Sequence, residues 1–500
     1  MRILNRWRAV ALFVLQLHVA ALQLAASPAE AAQRKPNFLF VYTDDQRWDA
    51  MGVVQREQGE QGRFPFLATP HLDRLASEGV RFRNAFVTHS LCAPSRAAFL
   101  TGRYNHLNGV VDNRTPFPEE SVTYASLLKS AGYATGYVGK WHMGRQRGQR
   151  PGFSYSASFV GQGRYVDCPF EVNGVSTPTS GWVDDVSTDY AIGFLEEHRD
   201  EPFALVVGFK TTHSPFQPPA RAAKRFADGQ ARDVPNLESR AVFAGAEGER
   251  PRRRTRRDSG RGDEKASVKL NYFRCISAAD DNLGRLLDAL DELDLADDTM
   301  VVFTSDNGYY FGEHGLGDKR SAYDESLRIP LLVRAPKQYR RTAVADDLVL
   351  NIDVAPTFLE AAGVAIPSEM QGESLMPPLA GAETEWRKAF LAEYFQESAF
   401  PETPTLVAVR TETAKLISYP GHDEWTELFD VASDPYETRN LAAEPESREL
   451  LSEMQQVLKR ELEATEYATP KSIEKSKRLT APKDSKARKG SGRKRRPLTD

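Results

Sequence analysis

Two pairs of polar residues in this chain follow apolar runs that are typical of buried β-strands. Asp44 and Asp45 come directly after NFLFVYT, and Asp306 and Asn307 come directly after MVVFTS. Carboxylate and amide oxygens suit a hard divalent cation such as Ca²⁺ or Mg²⁺ and suit Zn²⁺ poorly. If the two strands belong to one sheet, the sequence predicts a metal site at their shared end.

Cationic or protonatable side chains follow two further strand-like runs, YATGYVG and FALVVGF, and also lie in two other motifs. They are Arg96 in CAPSRAAF, Lys140 and His142 in GKWHMG, His213 in KTTHSPF and Lys319 in GLGDKR. A metal ringed by cations indicates an anionic substrate, because such clamps stabilise negative charge that develops on a transferred group. Each motif alone is more typical of a helix cap or a turn, and Lys319 by its spacing could equally be a surface lysine. Four polar strand ends in one sheet are hard to explain by capping.

The elements that must position these residues alternate along the chain from Pro36 onward. Short β-branched or aromatic runs are separated by amphipathic helical stretches, a pattern typical of a mostly parallel sheet with helices on both faces. In such a sheet ligands bind outside the carboxyl ends of the strands, where the polar motifs fall. The run LNYFRCISAADDNLGRLLDALDELDL has a clear helical period and predicts the longest helix. From about Glu383, strand-like runs followed by SRELLSEMQQVLKRELEA predict a small antiparallel sheet and a helix.

The stretch SLCAPSRAAFLTGRY places Cys92 directly before a predicted helix. Pro94 suits the first helical turn, where its missing N–H costs nothing, and Gly102 suits the helix end. Arg96 lies near the positive end of this helix, which attracts sulfate and other anions. The arrangement is typical of a cysteine used for chemistry.

Together these motifs resemble the signature of the type I sulfatases. The resemblance rests on CAPSR followed by LTGR, and on FVYTDDQ, GKWHMG and SDNGYYFGEHGLGDKR in the family's order, and it covers about Pro36 to Thr465. It implies an α/β fold of the alkaline-phosphatase type, with a mostly parallel central sheet between helices and a smaller C-terminal antiparallel-sheet subdomain. It also implies that a maturation enzyme oxidises Cys92 to formylglycine (3-oxoalanine).

The resemblance carries specific roles to residues of this chain. Asp44, Asp45, Asp306 and Asn307 match the ligands of one Ca²⁺, and the hydrated formylglycine at Cys92 completes that site. By the same resemblance, Arg96 steadies the formylglycine and the metal site. Lys140 and His142 hold the hydrate and take its proton. His213 and Lys319 bind sulfate and help the leaving oxygen depart.

The implied mechanism is covalent catalysis at a gem-diol. One hydroxyl attacks sulfur and displaces the alcohol, to which His213 or Lys319 gives a proton. The other hydroxyl then loses its proton to His142. As its oxygen becomes the aldehyde carbonyl, the bond to sulfate breaks and sulfate leaves. Among sulfatases, LTGRYNHLNGVVDN is most similar to bacterial N-acetylglucosamine-6-sulfatases and other glycosaminoglycan or polysaccharide sulfatases. The predicted substrate is therefore a sulfated sugar, and the candidate substrate-binding residues are His106, His314 and Arg320.

Composition bounds the partners and the compartment of the protein. The net charge of −4 argues against nucleic acid as the main partner. Residues 1–31 carry arginines, then an apolar core and a closing Ala-x-Ala. This order predicts a signal peptide that is cleaved near Ala31 and a protein that is exported to the periplasm or the cell exterior. A membrane anchor is the alternative. No later stretch is apolar enough to span a bilayer. The three cysteines allow at most one disulfide, and the sequence leaves open whether Cys168 and Cys275 form it or stay buried thiols.

The predicted boundaries divide the chain into a catalytic domain at 36–382 and a C-terminal α+β subdomain at 383–466. An Arg-rich insert near 247–264 and a basic tail at 471–500 have almost nothing to bury and are predicted to be unstructured.

Clustered arginines also bind sulfate and phosphate groups, so a non-catalytic polyanion-binding protein is one competing hypothesis. A phosphodiesterase or phosphonate monoester hydrolase on the same scaffold is the other. The triplet at 113–115 is a glycosylation sequon only in a host that glycosylates.

Overall fold

The structure is a computed structural model that describes residues 35–244, 262–382 and 385–470, without the side chains of 262–268. Its strands are β1 (Asn37–Thr43), β2 (Val80–Phe86), β3 (Ala134–Lys140), β4 (Tyr155–Phe159), β5 (Phe170–Val172), β6 (Val175–Thr177), β7 (Phe203–Gly208), β8 (Thr299–Ser305), β9 (Tyr310–Phe311), β10 (Gly317–Asp318), β11 (Leu331–Arg334), β12 (Ala343–Leu350), β13 (Ala389–Tyr394), β14 (Leu406–Thr411), β15 (Ala414–Ser418) and β16 (Glu427–Asp430). Its α-helices are α1 (Gly52–Gln58), α2 (Pro70–Glu78), α3 (Cys92–Thr101), α4 (Asn105–Asn108), α5 (Tyr124–Ser130), α6 (Val183–Glu197), α7 (Gly262–Glu292), α8 (Asp324–Leu327), α9 (Val354–Ala361), α10 (Met376–Ala380) and α11 (Arg448–Ala464).

A ten-stranded sheet forms the centre of the fold, in the order β12-β2-β11-β8-β1-β7-β3-β4-β5-β6. The strands β8, β1, β7, β3 and β4 are parallel neighbours, whereas β11 pairs antiparallel with both β2 and β8. In the middle, Phe40 of β1 lies opposite Val206 of β7 and Val302 of β8. Every residue of β1 and β8 is buried, as expected for strands that are covered on both faces.

Successive residues of β1 supply two separate hydrophobic cores, one on each face of the sheet. Phe38 and Phe40 pack on one face, where the ring of Phe40 lies 5.2 Å from the ring of Phe99 in α3. Leu39 and Val41 belong to the other core, together with apolar residues of α6 and α7. This division follows from the alternation of side chains along a strand. The predicted mostly parallel sheet between helices is therefore confirmed.

The C-terminal part of the chain contains a separate antiparallel sheet with the strand order β13-β14-β15-β16. Val409 and Leu416 on one face of this sheet pack with Met454 of α11 in a small core of their own. The small antiparallel sheet and its helix are thus confirmed. The predicted longest helix is also confirmed, because α7, with 31 residues, is the longest of the described helices. The domain boundary at 382/383 stays a prediction.

Several predictions made from sequence lie outside the described residues, namely the signal peptide at 1–31, most of the Arg-rich insert and the basic tail at 471–500. The helix α7 begins at Gly262, two residues before the approximate end of the predicted insert, and EKASVKL consists mostly of good helix formers. The unstructured character of the insert stays a prediction. In the described part of the chain, no helix is long and apolar enough to cross a membrane. Cys168 and Cys275 are buried free thiols and form no disulfide.

Gly308, directly after Asn307, lies where two backbone segments approach too closely for a side chain. A Cβ atom at this position would stand 2.1 Å from the carbonyl oxygen of Glu325. We therefore expect Gly308→Ala to lower the free energy of unfolding by about 3 kcal/mol, measured by urea denaturation. Gly317→Ala is the matched control, because no atom of the described residues lies within 4 Å of an added Cβ there, and its effect should stay below about 0.5 kcal/mol. Equal effects of the two substitutions would contradict the steric argument.

Candidate active site

Cys92 is the first residue of α3, a helix in which every residue is buried. The preceding Leu91 is extended, Pro94 falls in the first turn, and Gly102 ends the helix with a φ of 63°. The predicted positions of Pro94 and Gly102 are confirmed, although the helix begins already at Cys92. Because the N-terminus of a helix carries partial positive charge, Cys92 lies where negative charge on a nucleophile or a substrate is stabilised.

The polar residues that follow β1, β3, β7 and β8 lie at one end of the sheet, because these four parallel strands are direct neighbours. Backbone hydrogen bonds continue past the strand ends: the Asp44 N–H donates to Thr211 O (2.6 Å), and the Asp306 N–H donates to Thr43 O (3.0 Å). The Asp45 N–H donates to Asp306 Oδ1 at 3.2 Å. The structure thus brings together the two polar pairs, Asp44-Asp45 and Asp306-Asn307, which are 262 positions apart in the chain.

An acidic cluster forms at this end of the sheet. One ligand-type atom each from Asp44, Asp45, Asp306 and Cys92 lies within 4.8 Å of the others, and all four residues are buried. The Nδ2 atom of Asn307 donates to Asp45 Oδ1 (2.6 Å), but its buried Oδ1 accepts no hydrogen bond from the described residues. A buried amide oxygen without a partner is costly. Three carboxylates and this oxygen form a donor set that fits a hard cation such as Ca²⁺.

Arg96 binds two of the carboxylates from within the fold. Its Nη2 atom is 2.8 Å from Asp44 Oδ2 and 2.7 Å from Asp306 Oδ2, and all three side chains are fully buried. The guanidinium lies 4.9 Å from the centre of the Tyr42 ring. Burial lowers the pKa of Arg96, but Asp306, Tyr42 and Asp44 together raise it, so the side chain stays charged. Arg96 therefore fixes the orientation of the two carboxylates.

Two lysines complete the positive side of the cluster. The Lys140 Nζ atom forms an ion pair with Asp44 Oδ2. The Lys319 Nζ atom is 2.5 Å from Asp45 Oδ1 and 3.2 Å from Cys92 Sγ. Burial lowers the pKa of Lys319, but Asp45 and Cys92 outweigh it and raise the value. Lys319 is thus a buried cation in contact with the cysteine, so the structure does not support the surface-lysine alternative.

The three carboxyl groups differ in how readily they ionise. Burial raises the pKa of Asp44, but Lys140, His213 and Arg96 outweigh it and hold the value well below the ordinary range. Burial, followed by the charge of Asp44, raises the pKa of Asp306 to about 7. Burial also raises the pKa of Asp45, with Lys319 opposing it. Burial therefore disfavours ionisation of Asp45 and Asp306, and a bound cation would favour it.

Two histidines near this cluster are poised as neutral bases. One ring nitrogen of His213 lies within 4.8 Å of Asp44 and Cys92 ligand atoms. The Nδ1 atom of His213 is 2.6 Å from the Ser214 carbonyl, which makes Nδ1 the donor and leaves Nε2 as the acceptor. Burial, followed by Lys140, lowers the pKa of both His213 and His142. At neutral pH both rings are therefore uncharged and able to accept a proton.

The Cys92 thiol is a poor nucleophile in its unmodified form. Its side chain is completely buried, and burial, followed by the charge of Asp44, raises its pKa to about 12. The Sγ atom lies 3.6 Å from Asp44 Oδ1. Because the thiolate is the reactive form of cysteine, this environment disfavours direct thiol chemistry at neutral pH.

The two histidines predicted to bind substrate have other partners. His106 places Nδ1 2.7 Å from Glu393 Oε2 and Nε2 2.9 Å from the Thr465 carbonyl. His314 is buried and stacks on Tyr323 with ring centroids 3.8 Å apart. Both nitrogens of His106 would have to leave protein acceptors to bind a sugar. A substrate-binding role for His106 and His314 stays a prediction.

Arg320, the third predicted substrate-binding residue, directly follows Lys319 and is held in place by its neighbours. Its Nε atom is 2.5 Å from Glu397 Oε2, its Nη1 atom contacts Asp318, and its guanidinium lies 3.5 Å from the centre of the Phe400 ring. These contacts fix its orientation next to the cluster residue Lys319. Its role in binding substrate also stays a prediction.

Residues that sequence reasoning missed lie just before His213. The Thr212 hydroxyl donates to Asp44 O at 3.1 Å and contacts Asp45 O at 3.3 Å. Lys210 is buried, and burial together with Lys140 lowers its pKa to about 8. Both residues belong to KTTHSPF, so their place directly after β7 was the available signal. Thr212 braces the cluster from the side of β7, whereas the Lys210 Nζ atom donates to Gln162 O at 2.9 Å.

Comparison with known proteins gives the class and then the family. The central sheet, the flanking helices and the cation-lined acidic cluster define a hydrolase of the alkaline phosphatase superfamily. Residues 36–364 match the sulfatase family, and residues 312–464 match the family described as N-sulphoglucosamine sulphohydrolase, C-terminal. The chain therefore belongs to the sulfatase family and is a sulfuric ester hydrolase.

Named relatives agree with this assignment. An N-acetylglucosamine-6-O-sulfatase of Bacteroides thetaiotaomicron is 32% identical over 511 aligned positions, which cover 89% of each chain. An ulvan-active sulfatase of Formosa agariphila is 30% identical, covering 86% of this chain and 81% of its own. A solved structure of a protein in complex with its substrate D-glucosamine-2-N,6-O-disulfate superposes with a TM-score of 0.78 at 29% identity, covering 87% of this chain and 99% of that one. The predicted resemblance to sulfatases is confirmed.

Proposed function

We propose that this chain is an exported sulfatase that hydrolyses a sulfate ester of a sugar with a formylglycine made from Cys92 and one bound Ca²⁺. The observation that carries the proposal is the position of Cys92, buried at a helix N-terminus against Asp44 and Lys319. The unmodified thiol is held in its protonated form there. Oxidation of Cys92 to a hydrated aldehyde would supply a hydroxyl nucleophile in the same place.

Asp44, Asp45, Asp306 and Asn307 would hold the calcium ion, with the oxidised Cys92 as a further ligand. The buried carboxylate cluster and the unpartnered Asn307 Oδ1 support this assignment. When bound, the ion would stabilise negative charge on the attacking oxygen. Arg96 would keep Asp44 and Asp306 in place, since it already binds both.

The surrounding bases and cations would manage protons and the sulfate charge. We assign His142 and Lys140 to the hydroxyl groups of the modified Cys92, with neutral His142 accepting a proton. We assign His213 and Lys319 to the sulfate group and the leaving oxygen. The contact between Lys319 and Cys92 and the position of His213 near the thiol support this assignment. The charged Lys140 and Lys319 would also bind the negative charge of the ester.

We infer a sulfated sugar as the substrate from the names of the relatives, with Arg320, His106 and His314 as candidate binding residues. A formylglycine-generating enzyme is the implied maturation partner. The apolar stretch within 1–31 supports export to the periplasm or the cell exterior. The catalytic domain would span 36–382, and the C-terminal subdomain would span 383–466.

Mass spectrometry of the protein, co-expressed with a maturation enzyme, tests the proposal directly. We expect the peptide containing Cys92 to carry an aldehyde in place of the thiol. The matured protein should then hydrolyse N-acetylglucosamine 6-sulfate faster than a phosphodiester of the same alcohol. An unmodified thiol would contradict the nucleophile, and a clear preference for the phosphodiester would favour the competing phosphodiesterase function.

A further inference from the structure

The helix that carries Cys92 is capped by a residue from a distant loop. Leu91, the residue before α3, makes no side-chain capping bond. The Ala93 N–H donates instead to Oδ1 of Asn113 at 3.0 Å. The first amide groups of a helix have no partner within the helix, and a side-chain oxygen that accepts from one of them stabilises the helix start. Asn113 therefore fixes the backbone directly after the nucleophile position.

The loop that contains Asn113 has its own internal bracing. Asp112 Oδ1 accepts hydrogen bonds from Arg114 N (2.9 Å), Thr115 N (2.8 Å) and the Thr115 hydroxyl (2.7 Å). These bonds fold residues 112–115 into a tight turn with Asn113 at its second position. The turn presents Asn113 to α3 with little freedom. We call residues 112–117 the strap.

The opposite side of the strap contacts the segment that carries His142. Gly144 has a φ of 57°, and a Cβ atom on it would stand 2.8 Å from the Arg114 carbonyl oxygen. The ring of Phe117 lies 5.7 Å from that of Trp141. Gln146 links the same pair, because its amide donates to Phe117 O (3.3 Å) and accepts from Trp141 Nε1 (2.9 Å). The strap is thus packed between the start of α3 and residues 141–146.

We propose that the strap couples these two parts of the active site and that Asn113 is a positioning residue for Cys92. The inference rests on the proposed function, because it takes the modified Cys92 as nucleophile and His142 as its base. A displacement of about 1 Å between reacting groups can lower a rate by about 100-fold. A bond to the amide next to Cys92 is well placed to prevent such a displacement. The asparagine of the 113–115 sequon thus has a role within the fold.

Steady-state kinetics with 4-nitrophenyl sulfate, normalised to the fraction of protein that carries formylglycine, tests this role. We expect Asn113→Ala to lower kcat about 10- to 100-fold with little change in KM. Asn113→Asp should keep kcat within about threefold of the original protein, because its carboxylate accepts the same N–H and is favoured at a helix N-terminus. Its added negative charge should raise KM for the anionic substrate instead.

Two further variants complete the design. Asn440 accepts backbone hydrogen bonds from Leu428 N and Ala442 N, both at 3.0 Å, in the C-terminal sheet region, so Asn440→Ala is a matched control with unchanged kcat. Gly144→Ala should push the strap away through the Arg114 carbonyl and lower kcat without removing a polar group. This second variant keeps the inference testable if Asn113→Ala does not fold.

The outcomes separate the inference from the proposed function. A folded Asn113→Ala protein with the original kcat would overturn the positioning role, and so would an Asn113→Asp protein as impaired as Asn113→Ala. If Asn113→Ala does not fold, an unchanged kcat in Gly144→Ala would overturn it. If the unsubstituted protein carries no aldehyde or hydrolyses no sulfate ester, the proposed function fails instead.

Discussion

Replacing Cys92 with alanine is expected to abolish sulfate ester hydrolysis while the protein stays folded. The loss in kcat/KM should be on the order of 10⁴-fold or more, because no other side chain in the cluster can form and release a covalent intermediate at this position. Removal of one buried sulfur atom should cost only about 1 kcal/mol of stability. Thermal unfolding and circular dichroism would show that the fold persists.

Two further substitutions, Cys92→Ser and Cys168→Ala, make this test of Cys92 more specific. Cys92→Ser should also remove turnover, since a serine sulfate ester cannot release sulfate by elimination to a carbonyl. Cys168→Ala is the matched control, because Cys168 is a buried free thiol in the core on one face of the sheet and should leave kcat unchanged. Full activity in Cys92→Ala, after assay of the same preparation by mass spectrometry, would rule out Cys92 as the source of the nucleophile.

The local pattern of the sequence determined much of the fold prediction. The run NFLFVYT could be recognised as a fully buried strand, and its alternating side chains do enter two cores. The polar pairs Asp44-Asp45 and Asp306-Asn307 stood out because charged residues directly after apolar runs are unusual. The order of the strands was not predictable, because pairing of β1 with β8 depends on contacts between segments about 260 residues apart. The metal site at the shared end of β1 and β8 could therefore be predicted only on the condition that the two strands belong to one sheet.

Contacts between distant loops explain what the sequence could not show. Asn113 looked like part of a surface sequon, yet its side chain caps α3 because the strap folds back onto Ala93. His106 was predicted to bind substrate, but its ring contacts Glu393, which lies 287 positions later in the chain. A single sequence carries no sign of either pairing. Such residues acquire their partners only when the tertiary structure forms.

Removal of divalent cations is expected to eliminate activity and lower thermal stability, with calcium restoring both. A ligand that binds only the folded protein stabilises it by about 2.7 kcal/mol at 100 times its dissociation constant. Burial raises the pKa values of Asp45 and Asp306, so a bound cation should favour the ionised form of both carboxyl groups. Dialysis against a chelator, followed by calcium titration, would measure both effects on one preparation.

The pH dependence of the cation-depleted protein follows from Asp306. Its folded-state pKa is raised from 3.8 to about 7, mainly by burial and next by Asp44. A carboxyl group whose pKa is raised on folding contributes stability that is present below its unfolded value and is lost as the pH rises through the folded value. We expect the chelated protein to lose thermal stability as the pH rises from about 4 to about 7, and the calcium-loaded protein to lose less.

Asp306→Asn isolates the carboxylate from the other consequences of chelation. The variant should show no calcium-dependent rise in Tm and should lose activity by about 100-fold or more, because a proposed metal ligand and one of the two carboxylate partners of Arg96 are removed. Asp346→Asn is the matched control: Asp346 lies at the surface in an ion pair with Arg83, so its calcium response should match that of the unsubstituted protein. If chelation left the unsubstituted protein fully active and equally stable across this pH range, the buried carboxylates would be balanced by Arg96, Lys140 and Lys319 alone. The metal assignment would then be wrong, and the unpartnered Asn307 oxygen would need another explanation.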